Sequence, residues 1–267
     1  MKRILTLATV AVAAMMAGCA THPASASGAA TTVSRPMSDI TPATPADARA
    51  RVHVGLGMAY FEVGRYDVAL DEAKIALGDS PDYAPAHHLL GLAYMLIEEH
   101  AAAREHFERA LREAPGDPDF NNSYGWFLCT QGQAQQGLER LALAARNPYY
   151  RHSARPLTNA GLCQLRLGDD AAAEGQFLRA LQADPANAQA LYQLADIAYR
   201  GARYEQARSH LIRLHQQFDP SAASLWLGVR AERRLGNHDA AASYAAQLQS
   251  RFAESEEFKL FNQGKFE

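Results

Sequence analysis

From about residue 50 onward, apolar side chains recur at steps of three and four, and the same phrase returns on a longer fixed period. Val54-Gly55-Leu56-Gly57-Met58-Ala59-Tyr60-Phe61 is answered 34 residues later by His88-Leu89-Leu90-Gly91-Leu92-Ala93-Tyr94-Met95. Steps of three and four put large residues such as Tyr60, Leu77, Phe107 and Phe177 on one helical face, so the spacing predicts amphipathic helices and no strands. Gly57, Tyr60, Ala69, Ala76 and Pro81 recur as Gly91, Tyr94, Ala103, Ala110 and Pro115. The rhythm continues through Gly125 and Ala144, then through Gly161, Ala173, Phe177, Ala180 and Pro185. It is fainter at Ala195, Tyr204 and Ala207, and faintest around Leu227-Gly228 and Ala240-Ala241.

Each recurring residue has a physical task. Gly or Ala leaves room where two antiparallel helices cross, with Gly57 facing Ala69, and the closing prolines forbid helix continuation. A period of this length with these residues is the tetratricopeptide pattern. One hairpin cannot bury its own apolar face, so neighbours must stack. The expected fold is all-α, a right-handed α-solenoid of about six helical hairpins at 50–83, 84–117, 118–153, 154–187, 188–221 and 222–253, within an array spanning 49–253. The third repeat is two residues too long, and its surplus falls in Asn147-Pro148-Tyr149-Tyr150-Arg151-His152-Ser153. Residues 254–267, with Phe258, Leu260, Phe261 and Phe266, read as a segment capping the last exposed face.

The chain before the array has another character. Lys2 and Arg3 precede an apolar run from Ile4 to Met15, which ends at Met16-Ala17-Gly18-Cys19. The run is too short to cross a bilayer, which takes about 20 apolar residues, and reads as an export signal over 1–18. The cysteine after small residues resembles the bacterial lipoprotein box, which implies cleavage before Cys19, lipidation there by acyl chains such as palmitate, and, with Ala20 following, sorting to the outer membrane. Ordinary secretion, cleaved after Ala24-Ser25-Ala26, is the rival reading. Residues 19–48 then form the lipid-bearing cysteine and an Ala-, Ser-, Thr- and Pro-rich stretch with little apolar bulk, expected to act as a flexible tether. Such a tether would reach roughly 100 Å stretched and about 30 Å as a coil.

Net charge is −3, and loss of Lys2 and Arg3 with the leader makes the mature chain more acidic still. No basic stripe exists to displace counterions, so nucleic acid is not an expected partner. Beyond Cys19, the cysteines are Cys129 and Cys163, on the first helices of consecutive repeats at similar heights. In an oxidising compartment they are a candidate disulfide, and equally they are two small buried thiols. The ten histidines include no pair spaced four apart with a glutamate, so no metal site is expected. There is no Gly-x-Ser-x-Gly elbow and no phosphate-cradling loop, and Gly55 and Gly57 are explained by the repeat. The expectation is therefore no enzyme, no cofactor and no small-molecule substrate.

A tetratricopeptide array offers instead a concave surface lined by the first helix of each hairpin. In this register the groove positions are Arg51, Val54, Met58 and Phe61 in repeat one; Pro85, His88, Leu92 and Met95 in repeat two; and Asp119, Asn122, Trp126 and Cys129 in repeat three. Val54, Met58, Phe61, His88, Leu92, Met95, Asn122 and Trp126 are the candidate partner-binding residues. About half of these groove positions are expected to pack against the next repeat. So apolar a strip suits an amphipathic peptide segment, and not the C-terminal carboxylate that polar-lined grooves of this fold capture.

Further phrases are more specific than the generic repeat. Asn121-Asn122-Ser123-Tyr124-Gly125-Trp126-Phe127-Leu128-Cys129, the stretched third repeat, Ser224-Leu225-Trp226-Leu227-Gly228-Val229-Arg230 and Asp239-Ala240-Ala241-Ala242-Ser243-Tyr244 stand beside the lipobox and tether. Together they resemble the type IV pilus biogenesis and stability lipoproteins of the PilF/PilW family, over essentially the whole mature chain. The resemblance implies a pilotin: an outer-membrane lipoprotein on the periplasmic face that helps the pilus secretin localise and multimerise, with a secretin segment held in the repeat groove. The alternative function is a repeat scaffold for another envelope machine, in β-barrel assembly or peptidoglycan synthesis.

Overall fold

The computed structural model describes residues 34–266. Among them the chain forms thirteen α-helices and no strand. Twelve of the helices pair as hairpins: α1 (Pro45–Glu62) with α2 (Tyr66–Asp79), α3 (Ala84–Leu96) with α4 (His100–Glu113), and α5 (Pro118–Thr130) with α6 (Ala134–Arg146). The series continues with α7 (Ala154–Arg166) and α8 (Asp170–Ala183), α9 (Ala188–Arg200) and α10 (Tyr204–Gln217), and α11 (Ala222–Arg234) and α12 (His238–Phe252). The second helix of each hairpin packs on the first helix of the next, and α1 touches α3 as α5 touches α7. The repeat period of the sequence is thus the period of an all-α stack.

The crossings show why small residues recur. A Cβ added to Gly91 would lie 2.7 Å from the Phe107 ring, and one added to Gly161 would lie 2.6 Å from that of Phe177. At Gly57 the same atom would meet Leu89 at 2.6 Å and the Ala69 carbonyl at 3.3 Å. Those phenylalanines are wholly buried, and each fills the gap its partner glycine leaves. Between the two helices of each hairpin one residue sits in the left-handed region, at Gly64, Glu98, Gly132, Gly168, Ala202 and Gly236. Four of these six are glycine, the residue that adopts the conformation without a Cβ clash.

The free end of the stack is covered. α13 (Glu256–Asn262) lies against α11 and α12. Its Phe258 and Phe261, with Phe266 beyond, cluster around Trp226 and Leu248. Arg233 stacks over the Phe266 ring at 3.8 Å.

The tether is shorter than its composition predicts. Thr44 Oγ1 accepts from the Asp47 amide while the Asp47 carboxylate accepts from the Thr44 amide, and Pro45 starts α1, so residues 45–48 are helical. Residues 34–40 are also not free chain: Pro36 is buried, a 3-10 turn runs over Met37–Asp39, and the segment lies across the first three repeats. Hydrogen bonds to its backbone hold it there, a signal that side-chain composition does not carry. The leader 1–18, the lipidation site Cys19 and the tether up to residue 33 lie outside the described residues.

Candidate functional site

Three successive first helices supply one cavity of about 530 Å³. Val54, Met58 and Phe61 come from α1, His88 and Leu92 from α3, and Phe120 and Asn122 from α5. Spacing of three and four along α1 aims Val54, Met58 and Phe61 at one side, while Gly57 between them faces the opposite way, into α2 and Leu89. The floor is apolar and the rim is charged, carrying Arg51, Glu62, Asp119 and Arg155. Met37 and Ser38 close one wall.

Polar wiring fixes the shape of the cavity. The His88 imidazole pairs with Ser123 Oγ at 2.9 Å and lies 4.7 Å from the Phe120 ring, an enclosure that drives its pKa down to about 4. It is therefore neutral at pH 7. Asp117 caps α5, accepting the Phe120 amide at 2.9 Å, and its other oxygen accepts the Met37 amide at 2.6 Å. Burial raises that carboxyl to about 6, against the pull of the two amides. Tyr150, from the surplus residues of repeat three, donates its hydroxyl to Asp119 Oδ1 at 2.8 Å, and its burial raises its pKa. The Asn-Asn phrase is wired likewise: Asn121 donates to the Pro115 and Asp117 carbonyls, and Asn122 accepts from Asn159 of α7.

Six of the eight candidate groove residues meet in this cavity: Val54, Met58, Phe61, His88, Leu92 and Asn122. Met95 and Trp126 do not line it. Met95 packs against the cluster containing Phe120, Tyr124 and Phe127, and Trp126 against Cys129, Leu141 and Cys163. Both sit late in their helices, where a long apolar side chain buries more area by reaching the next repeat than by standing in an open groove. Cys129 leaves the groove for the same interface, where it is disulfide-bonded to Cys163 with Cα atoms 5.7 Å apart. Reading the helix positions alone misses Phe120, Asp117, Arg155 and the 34–40 segment. The Gly116-Asp117-Pro118 cap was the one available signal for Asp117, since Asp before a helix-starting Pro is an N-cap pattern.

An apolar floor, a neutral imidazole and a charged rim suit a peptide with one apolar face. His87 and His106 do meet, Nδ1 to Nδ1 at 3.0 Å, but His87 Nε2 is spent on the Pro81 carbonyl. The neutral His87 ring therefore donates at Nε2 and accepts from His106 at Nδ1, a structural pair between α3 and α4.

The family model described as a tetratricopeptide repeat matches residues 54–118 and 192–256. The type IV pilus assembly protein PilF of Pseudomonas aeruginosa is 28% identical over 213 residues, covering 80% of this chain and 84% of that protein. The solved structure of Pseudomonas aeruginosa PilF superposes with a TM-score of 0.75 at 27% identity, over 83% of this chain and 100% of that one. PilW, described as a widely conserved type IV pilus biogenesis factor, superposes with a TM-score of 0.73 at 27% identity, over 80% of this chain and 98% of that one. Repeats, fold and these relatives together identify the chain as a tetratricopeptide-repeat protein homologous to the type IV pilus factors PilF and PilW.

Proposed function

We propose that this chain is a non-catalytic pilotin of type IV pilus biogenesis. It is anchored by lipid at Cys19 to the periplasmic face of the outer membrane, and it holds a segment of the pilus secretin in the cavity of repeats one to three. The observation that carries the reading is the cavity itself: residues from three helices converge on one apolar floor with a charged rim, in a chain whose relatives serve pilus assembly. Lipid supplies location and the groove supplies recognition. One acyl chain binds membranes only marginally, so the several chains of a lipoprotein cysteine are needed for a stable anchor.

Cys19→Ala tests the anchoring half. The variant array is expected to fold but to leave the outer-membrane fraction, with secretin multimers falling in heat-resistant gel bands. Normal multimers and normal twitching in a strain lacking the protein would refute the function itself.

A further inference from the structure

The segment Ser34–Ile40 crosses the groove as a bound peptide would. Three side chains from three places in the stack grip its backbone. Arg51 of α1 donates to the Ser38 and Ile40 carbonyls at 3.0 and 3.1 Å, and Asp117 at the start of α5 accepts the Met37 amide at 2.6 Å. Asn147 donates to the Ser34 carbonyl at 2.8 Å. One side chain is read as well: Met37 packs against the cluster of Phe120, Tyr124 and Phe127 and shares the cavity with Met58, Phe61 and His88. The grip is built partly from the two surplus residues of repeat three, whose loop carries Asn147 and puts the Tyr149 ring under Arg35 at 5.5 Å. Asp117 is buried, so without the segment one of its carboxylate oxygens would lose its amide partner.

We propose that residues 34–40 are a tethered occupant of the groove, and that the partner segment binds by displacing them. The inference rests on the groove reading above and adds to it the chemistry of the ligand. The partner offers a backbone that turns as Met37–Asp39 does, with carbonyls for Arg51 and an amide for Asp117, and one long unbranched apolar side chain for the Met37 subsite. The strap fills the Met37 subsite at one wall of the cavity until a better-fitting segment arrives, because an intramolecular competitor acts at a high effective concentration.

The probe is a fluorescein-labelled peptide of residues 34–42, added to the full chain and followed by anisotropy. The intact chain is expected to give no binding up to the highest protein concentration. Met37→Asp, which expels the strap, is expected to bind at least tenfold tighter, and Met37→Leu to stay closed. Adding Arg51→Ala to Met37→Asp is expected to weaken binding about tenfold. Circular-dichroism melts establish that each variant is folded. Peptide binding to neither the intact chain nor Met37→Asp, or equal binding to both, would overturn the strap. Failure of the groove reading looks different: the peptide behaves as described, while Met58→Glu leaves secretin co-purification unchanged.

Discussion

At the residue scale, small side chains are where the fold is least forgiving and most legible. Gly57, Gly91 and Gly161 were readable as crossings because they repeat, and each faces a large side chain that permits no Cβ. Gly137 was not, although it stands where the other repeats place Ala69, Ala103, Ala173 and Ala207. Its reason is three-dimensional: a Cβ there would lie 2.5 Å from Cys129 Sγ and 2.6 Å from the Gly125 carbonyl. The buried imidazole of His88 carries a testable pH effect. Its folded pKa of about 4 lies below the unfolded value of 6.5, so the unfolded chain binds the extra proton between those values and stability is lost as pH falls through that window. Asp117, raised to about 6, works in the opposite sense and returns some stability between pH 6 and 4. The His88 share amounts to about 1–2 kcal/mol at pH 5. Urea midpoints at pH 7 and pH 5 should therefore drop less for His88→Asn than for the parent chain. An equal drop would remove His88 from the account.

At the scale of elements, the hairpins were legible because period, helix breakers and apolar spacing all agree. The turn conformations were only half legible. Gly64, Gly132, Gly168 and Gly236 mark the left-handed position, but Glu98 and Ala202 occupy it too, at φ of 64° and 57°. There the hairpin closes because the packed helices on either side outweigh the local strain. Ala202→Gly should accordingly stabilise the chain by about 0.5–1 kcal/mol, whereas Gly132→Ala should cost about 1–2 kcal/mol, both read as shifts in denaturation midpoint. The bond between Cys129 and Cys163 clamps α5 to α7 across a sequence separation of 34. A loop of that length gives about 3–4 kcal/mol by restricting the unfolded chain, so reductant should lower the melting temperature of the parent and not of Cys129→Ala/Cys163→Ala. Two reactive thiols in the unfolded, unreduced protein would show that no bond forms. Spacing alone left this pairing open because it says nothing of side-chain direction.

At the scale of the whole molecule, the array is a stack with one end covered by its own C-terminal aromatics and a groove crossed by its own N-terminal strap. The C-terminal cover was readable from four large apolar residues beyond the last repeat. The strap was not, because Ser34 to Ile40 has no period and is held through backbone atoms that every residue possesses. The groove itself followed from position in the first helices, and it failed for Met95, Trp126 and Cys129, where the next repeat captured the side chain. Its central claim is that a secretin segment lies against Phe61 and its neighbours. Replacing Phe61, in the cavity, or Ile75, exposed on α2, with the photocrosslinker p-benzoylphenylalanine in living cells tests this most directly. The account predicts a secretin adduct from position 61 and none from position 75. Adducts from position 75 alone, or none from 61 while pilus assembly proceeds normally, would contradict it.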